Sequence, residues 1–228
     1  EKFVNGYTFP ILSIVSAPEG LFSEETGIFI PGENSIEGLG IYTKEYPFID
    51  MNFAQRGVKW ERPAYLQIFG REGEEILRQS ISIRTHGNSS RHELQKSIRI
   101  IAGGVYGEEE FIQFDFFPEL NQRLSEMNVD TFQTLVLRTG GNTERFNTNF
   151  RDALLQDLLK ETRLDIQGYY PVVVFLDGEY WGVYAVRTRY DEHYFQAYYG
   201  IAPQDLIVLK DESYMVVGDP ADEQLFDK

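Results

Sequence analysis

The chain has no cysteine among its 228 residues, which excludes disulfides and thiolate metal sites. That absence suits an exported bacterial protein, although a cytoplasmic one can lack cysteine too. No run approaches about 18 consecutive apolar residues, so no stretch reads as a membrane-spanning helix. The opening EKFVNGYTFP has no basic start followed by an apolar run. A signal peptide is therefore expected to be absent or already removed. Positive charge is scarce: 21 Lys and Arg against 36 Asp and Glu leave a net charge of −15. Long-range repulsion argues against nucleic acid or an anionic membrane as a main partner, and solubility is the simplest use of that charge. Internal repeats and low-complexity linkers are missing. So are GxxxxGK[ST], GxGxxG, GxSxG and a Ser–His–Asp order, which leaves nucleophilic hydrolysis unsupported. His86, His92 and His193 have no metal-like spacing and read as surface or structural. Carboxylate pairs are too common in so acidic a chain to single out a glycosidase.

What is present leans towards β structure. Seventeen Phe and 14 Tyr exceed what a helix bundle usually carries. The length allows one large domain or two small ones. Strands are expected at Pro10–Ser16, Gly27–Pro31, Ala64–Phe69, Gln79–His86, Gln95–Ala102, Thr131–Leu137, Tyr170–Leu176 and Tyr180–Arg187, each rich in β-branched or aromatic residues and bordered by turn residues. Asp177-Gly178 between two such runs is a strong two-residue hairpin signal. A helix is expected over 147–164, where Phe150, Leu154, Leu155, Leu158 and Leu159 make one apolar stripe to face the sheet and Asn147, Thr148 or Asn149 caps the start. A second is expected over 191–200, with Asp191 as N-cap and Gly200 as the stop. Residues 32–62 look like a surface excursion. Strands with inserted helices imply an α+β fold, a mostly antiparallel sheet with a packed helix.

One stretch, RTHGNSSRHELQKSIRI (84–100), poses a chemical question. Lys96 shares a strand face with Ile98 and Ile100, and lysine is seldom buried unless paired. Either it snorkels to water at a frayed strand start, or it meets an acid or an anionic ligand. Asp152, between Phe150 and Leu154 near a helix start, is a candidate acid, and its alternative is ordinary exposed helix charge shared with Asp157 and Glu161. The turn Gly87-Asn88-Ser89-Ser90 can cradle an anion with backbone N–H groups and hydroxyls, as ordinary hairpin turns can too.

Four stretches resemble the CotH kinase family, an atypical protein kinase-like group related to a bacterial spore coat protein. They are FPILSIVSAPEGLFSEETGIFIPG (9–32), IRTHGNSSRHELQKSIRI (83–100), FRDALLQDLL (150–159) and VVVFLDGEYWGVYAVRTRYDEHYF (172–195), in the family's order. The resemblance implies an atypical protein kinase-like N-lobe that binds ATP with Mg²⁺ and phosphorylates protein serine. Residues 1–62 would be N-terminal strands and an excursion of the same domain, 63–190 the lobe, and 191–228 the hinge and start of a truncated C-lobe. Lys96 would contact the nucleotide phosphates, together with Gly87, Asn88, Ser89, Ser90 and Arg91. Asp152 would pair with the lysine, and Arg187, Arg189, Tyr190 and Asp191 would form the hinge. The family's catalytic Asp and metal Asp would lie further C-terminal, because Asp211, Asp219, Asp222 and Asp227 stand in no such context. This chain alone is therefore expected to be inactive and to hold no metal ligand. A protein substrate is implied, with a bacterial envelope, secreted or spore-coat setting favoured over the cytoplasm. The alternative is a non-catalytic envelope or extracellular scaffold. A carbohydrate-binding module, resting on Trp60, Trp181 and the tyrosines of 194–199, has less behind it.

Overall fold

The structure, a computed structural model, describes residues 6–32, 51–124, 129–140, 149–210 and 214–219. Alternating apolar residues close seven strands into a barrel: β1 (Ile11–Ser16), β2 (Arg62–Phe69), β3 (Glu75–His86), β4 (Ser97–Ile101), β7 (Thr134–Arg138), β9 (Glu179–Thr188) and β8 (Tyr170–Leu176), in that spatial order. Every pairing is antiparallel except β1 with β8, which runs parallel and closes the ring. Closure removes the free sheet edges that would otherwise invite pairing with other chains. The side-chain period of two sends alternate residues inward. Leu12, Ile14, Leu66, Ile68, Ile81, Ile83, Ile98, Ile100, Leu135, Leu137, Val172, Val174 and Val186 fill the interior, none more than 1% exposed. Each such side chain contributes about 1.5–3 kcal/mol by leaving water.

The Asp177-Gly178 turn joins β8 to β9 as its sequence predicts. Both residues have positive φ, 50° and 84°, the requirement of a type I′ turn. The Asp177 carboxylate also accepts from the Ser16 N–H at 2.8 Å, tying the hairpin to the end of β1.

Two expectations fail. Gly27–Pro31 is not a strand: the Ile28 and Phe29 amides donate to Gly20 and Leu21 carbonyls of α1 (Pro18–Phe22), so this segment folds back on a short helix. The helix expected over 147–164 is the seven-residue α3 (Arg151–Asp157), flanked by Phe150 rather than capped by an asparagine or threonine side chain, and Asn147 and Thr148 lie outside the described residues. Its apolar stripe does not cover the sheet. Phe150, Leu154, Leu155, Leu158 and Leu159 are all at least 39% exposed.

The helix α4 (Glu192–Tyr199) forms as expected. The Asp191 carboxylate accepts from the Tyr194 N–H at 3.2 Å, and Gly200 ends the helix with φ 66°. Shorter elements sit outside the barrel: α2 (Pro118–Leu124), the pair β5 (Ile112–Gln113) with β6 (Thr131–Phe132), and the pair β10 (Val208–Lys210) with β11 (Tyr214–Val217). Phe114, Phe116, Phe117 and Phe132 interlock with Tyr170 at ring separations of 4.6–6.0 Å, joining β5, β6 and α2 to the barrel. No helix among the described residues is long and apolar enough to cross a membrane.

Candidate functional site

Lys96 lies one residue before β4, on the inner side with Ile98 and Ile100, at the rim of the barrel. It is 5% exposed. Its ammonium donates to the Glu93 carbonyl at 2.6 Å and stands 4.5 Å from the Phe53 ring centroid. Burial lowers its pKa to about 8, only partly offset by Glu93. Around it the rim is stitched shut. The Thr85 hydroxyl donates to the Phe53 carbonyl at 2.8 Å, and the Tyr184 hydroxyl donates to the Lys96 carbonyl at 3.1 Å.

The Gly87–Arg91 turn is fastened to the same segment, residues 53–56. Arg91 donates to the Gly87 carbonyl at 2.7 Å and to the Ala54 and Gln55 carbonyls at 3.1 and 2.6 Å. Those bonds occupy its Nε and Nη1, leaving little of this 5%-exposed guanidinium for a ligand. Arg56 donates to Asn88 Oδ1 at 3.2 Å. Gly87 has φ 116°, and a Cβ there would stand 2.4 Å from Ser90 Oγ. Only glycine fits.

Asp152 does not meet Lys96. Its carboxylate stands 3.4 Å from Arg138 Nε and 3.3 Å from Arg187 Nη1, on the outer side of the sheet. The alternation that puts Lys96 with the inward isoleucines puts Arg138 and Arg187 outside, so the proposed pair falls on opposite faces.

That outer face carries what sequence reasoning missed. Arg84 pairs in register with Arg99, Arg99 with Val136, and Val136 with Arg187, so one row across β3, β4, β7 and β9 holds three arginines. Arg138 and His86 lie one row over, across from Ala185 and Ser97. Arg189, just past β9, contacts Asp191 at 2.6 Å. The signal was present in the alternation: Ile83-Arg84-Thr85, Ile98-Arg99-Ile100, Leu137-Arg138 and Val186-Arg187-Thr188 each place an arginine between inward residues. Desolvation lowers the Arg84, Arg99 and Arg187 pKa values, Arg99 to about 10, with neighbouring arginines adding to the shift. Burial first, then Arg189, Arg99, Arg91 and Arg138, lowers His86 to about 3, so its imidazole is neutral at pH 7.

Opposing charge on this face comes from Asp152, Asp191 and the buried Glu61. Among the described residues Arg99 makes one long bond, to Thr134 Oγ1 at 3.4 Å. Its Nε and Arg187 Nε and Nη2 are buried without a hydrogen-bond partner among the described residues, and Arg138 Nε has only the ion pair with Asp152 at 3.4 Å. Each such buried donor costs about 1–3 kcal/mol unless something accepts from it.

Beside this face, Thr134, Thr188, Arg189 and Asp191 form one wall of a cleft of about 420 Å³ whose other walls include Phe111, Phe132, Tyr194 and Tyr198. Of the proposed hinge residues, Arg189 and Asp191 line this cleft. Arg187 is held on the sheet by Asp152, and Tyr190 packs on Tyr194 at 5.0 Å. Burial, then the nearby Asp165, raises the phenol pKa of both tyrosines.

The face is cationic, leaves guanidinium donors unbonded among the described residues, and lies beside a partly aromatic cleft. Residues 83–226 match the CotH kinase protein family, a stretch that runs from the end of β3 past the last described strand and contains every arginine of the face. The chain belongs to the CotH kinase family. No curated protein matches it.

Proposed function

We propose that the protein is the nucleotide-binding part of a CotH-type protein kinase, which transfers the γ-phosphoryl group of ATP to a protein serine. The observation that carries this reading is the family match over residues 83–226. Kinase chemistry depends on positioning and charge neutralisation more than on covalent participation by the protein. In the transfer, the serine oxygen forms a bond to the γ-phosphorus, the bond to the β–γ bridging oxygen breaks, and ADP leaves. The serine proton passes to a carboxylate base.

The nucleotide is proposed to lie between the Gly87–Arg91 turn and the hinge residues 187–191, which flank the outer arginine face from opposite sides. Lys96 is the phosphate contact implied by resemblance. To serve as one, its ammonium has to leave Glu93 and Phe53 and cross the rim. Mg²⁺ would screen the phosphate charge when bound. Among the described residues no cluster of three or more His, Asp or Glu suited to a metal occurs, and Mg²⁺ held with a nucleotide would take one or two carboxylates together with the phosphates. No carboxylate among the described residues is assigned to the metal or to the serine proton.

The test is γ-phosphate transfer to a protein by the full-length protein, with and without Lys96→Ala. Transfer that the lysine variant abolishes supports both reaction and residue. Transfer that survives unchanged keeps the kinase and removes Lys96 from it. No transfer, with no heat or stabilisation on adding Mg·ATP, favours the scaffold alternative.

A further inference from the structure

The arginine face has a feature that the Lys96 assignment does not need. Arg84, Arg99 and Arg187 lie in one row across four strands, with Arg138 and Arg189 beside them. Like charges placed side by side repel, and burial adds a desolvation cost. A chain of net charge −15 has acids to spare, yet Arg84 makes no hydrogen bond or ion pair with any described residue. Arg187 is 2% exposed and leaves Nε and Nη2 without a hydrogen-bond partner among the described residues. Asp152 and Asp191 hold Arg138, Arg187 and Arg189 in place without neutralising the row, and Glu61 acts on Arg84 and Arg99 from within the protein. Such a surface has the donors to hold an oxyanion that accepts several charge-assisted bonds at once.

We propose that the outer arginine face of β3, β4, β7 and β9 is a polyphosphate site, with Arg84 and Arg99 as its principal ligands and the cleft at Thr134 and Arg189 receiving the remainder of the bound nucleotide. The nucleoside part rests on the kinase reading, whereas the phosphate part rests on the arginines. Arg99 connects the two regions, since its guanidinium reaches Thr134 at the cleft wall. Arg138 and Arg187, bridged by Asp152, form the back of the site and orient it.

Calorimetric titration of the whole chain with inorganic tripolyphosphate and, separately, with ATP tests this. The variants are Arg84→Gln, Arg99→Gln and Arg99→Lys. Arg78→Gln is the control, because Arg78 is 67% exposed and distant in register from the row. Both ligands are expected to bind the parent chain, and each glutamine variant to weaken both by about tenfold or more. Arg99→Lys should recover only part of the loss, since a point charge replaces a planar fork. Unchanged melting temperatures show that folding is not the cause, and if Arg99→Gln fails to fold, the less constrained Arg84→Gln decides. Parent-like affinity in folded Arg84→Gln and Arg99→Gln overturns the site. So does an equal loss in Arg78→Gln, which marks diffuse charge rather than a built site. Tripolyphosphate binding that depends on the arginines, with no binding of ATP, keeps the phosphate site and overturns the nucleotide reading. Binding of neither ligand overturns both.

Discussion

Lys96 shows how a residue's neighbours decide its chemistry. From the alternating pattern it was either a snorkelling strand end or a paired lysine. In the structure its ammonium is spent on a backbone carbonyl and an aromatic ring at the barrel rim. The lowered pKa has a measurable consequence. The unfolded chain keeps the proton up to about the ordinary 10.5, whereas the folded chain releases it from about 8. Between those values the unfolded state binds more protons, so stability contributed by this residue rises with pH. The stability of the parent relative to Lys96→Met is therefore expected to grow from about pH 8 to about pH 10 in urea denaturation. A difference that stays flat would mean that the ammonium is not desolvated. His86 carries the same logic at lower pH. Its folded value near 3 against an ordinary 6.5 means stability is lost as pH falls from about 6.5 towards 3, a loss that His86→Gln should lessen. Gly87 is the backbone counterpart. Gly87→Ala forces a Cβ against Ser90 at positive φ, and about 1–3 kcal/mol of destabilisation is expected in the same denaturation experiment.

At the scale of elements, local patterns were legible where local physics governs them. The β8–β9 hairpin follows from two residues able to adopt positive φ. The α4 caps follow from Asp191 and Gly200, and most strands follow from period-two alternation. The misses have a common cause, which is that partners distant in sequence decide them. Nothing near β1 announces a parallel partner some 160 residues later, and Gly27–Pro31 has strand composition but donates to α1 instead. The arginine face was only half legible for the same reason: alternation puts Arg84, Arg99, Arg138 and Arg187 on the outer sides of four strands, but they become neighbours only when the register is known. The stripe expected over 147–164 yields only the seven helical residues of α3 and no buried face. Leu158 is 69% exposed and Leu155 51%, so truncating them opens no cavity. Leu158→Ser is expected to change stability by no more than about 0.5 kcal/mol. A loss of about 2–5 kcal/mol, the range for a buried leucine, would show that α3 does pack on the sheet in solution.

For the whole molecule, the parallel β1–β8 contact is the step that turns a curved sheet into a barrel, and it sets how the protein unfolds. Ile14 in β1 and Leu137 in β7 come from opposite parts of the ring, yet both point into the same interior at 0% exposure. A closed barrel with one shared core has no edge from which to fray, so removing either side chain should weaken all strands together. Ile14→Ala and Leu137→Ala are each expected to cost about 2–5 kcal/mol. Two probes can report whether the loss is shared. Trp181 packs on Phe22 and Phe29 at 6.0 and 5.7 Å, and Trp60 stacks with Arg62 at the start of β2, so their fluorescence reports the outer packing while far-ultraviolet circular dichroism reports the strands. Coincident urea transitions are expected for the parent and for both variants, as all-or-none unfolding requires. If the Ile14 variant instead loses fluorescence before circular dichroism, β1 detaches while the antiparallel strands persist. The ring is then closed by a strand that opens independently, and the arginine face on β3, β4, β7 and β9 would survive its release.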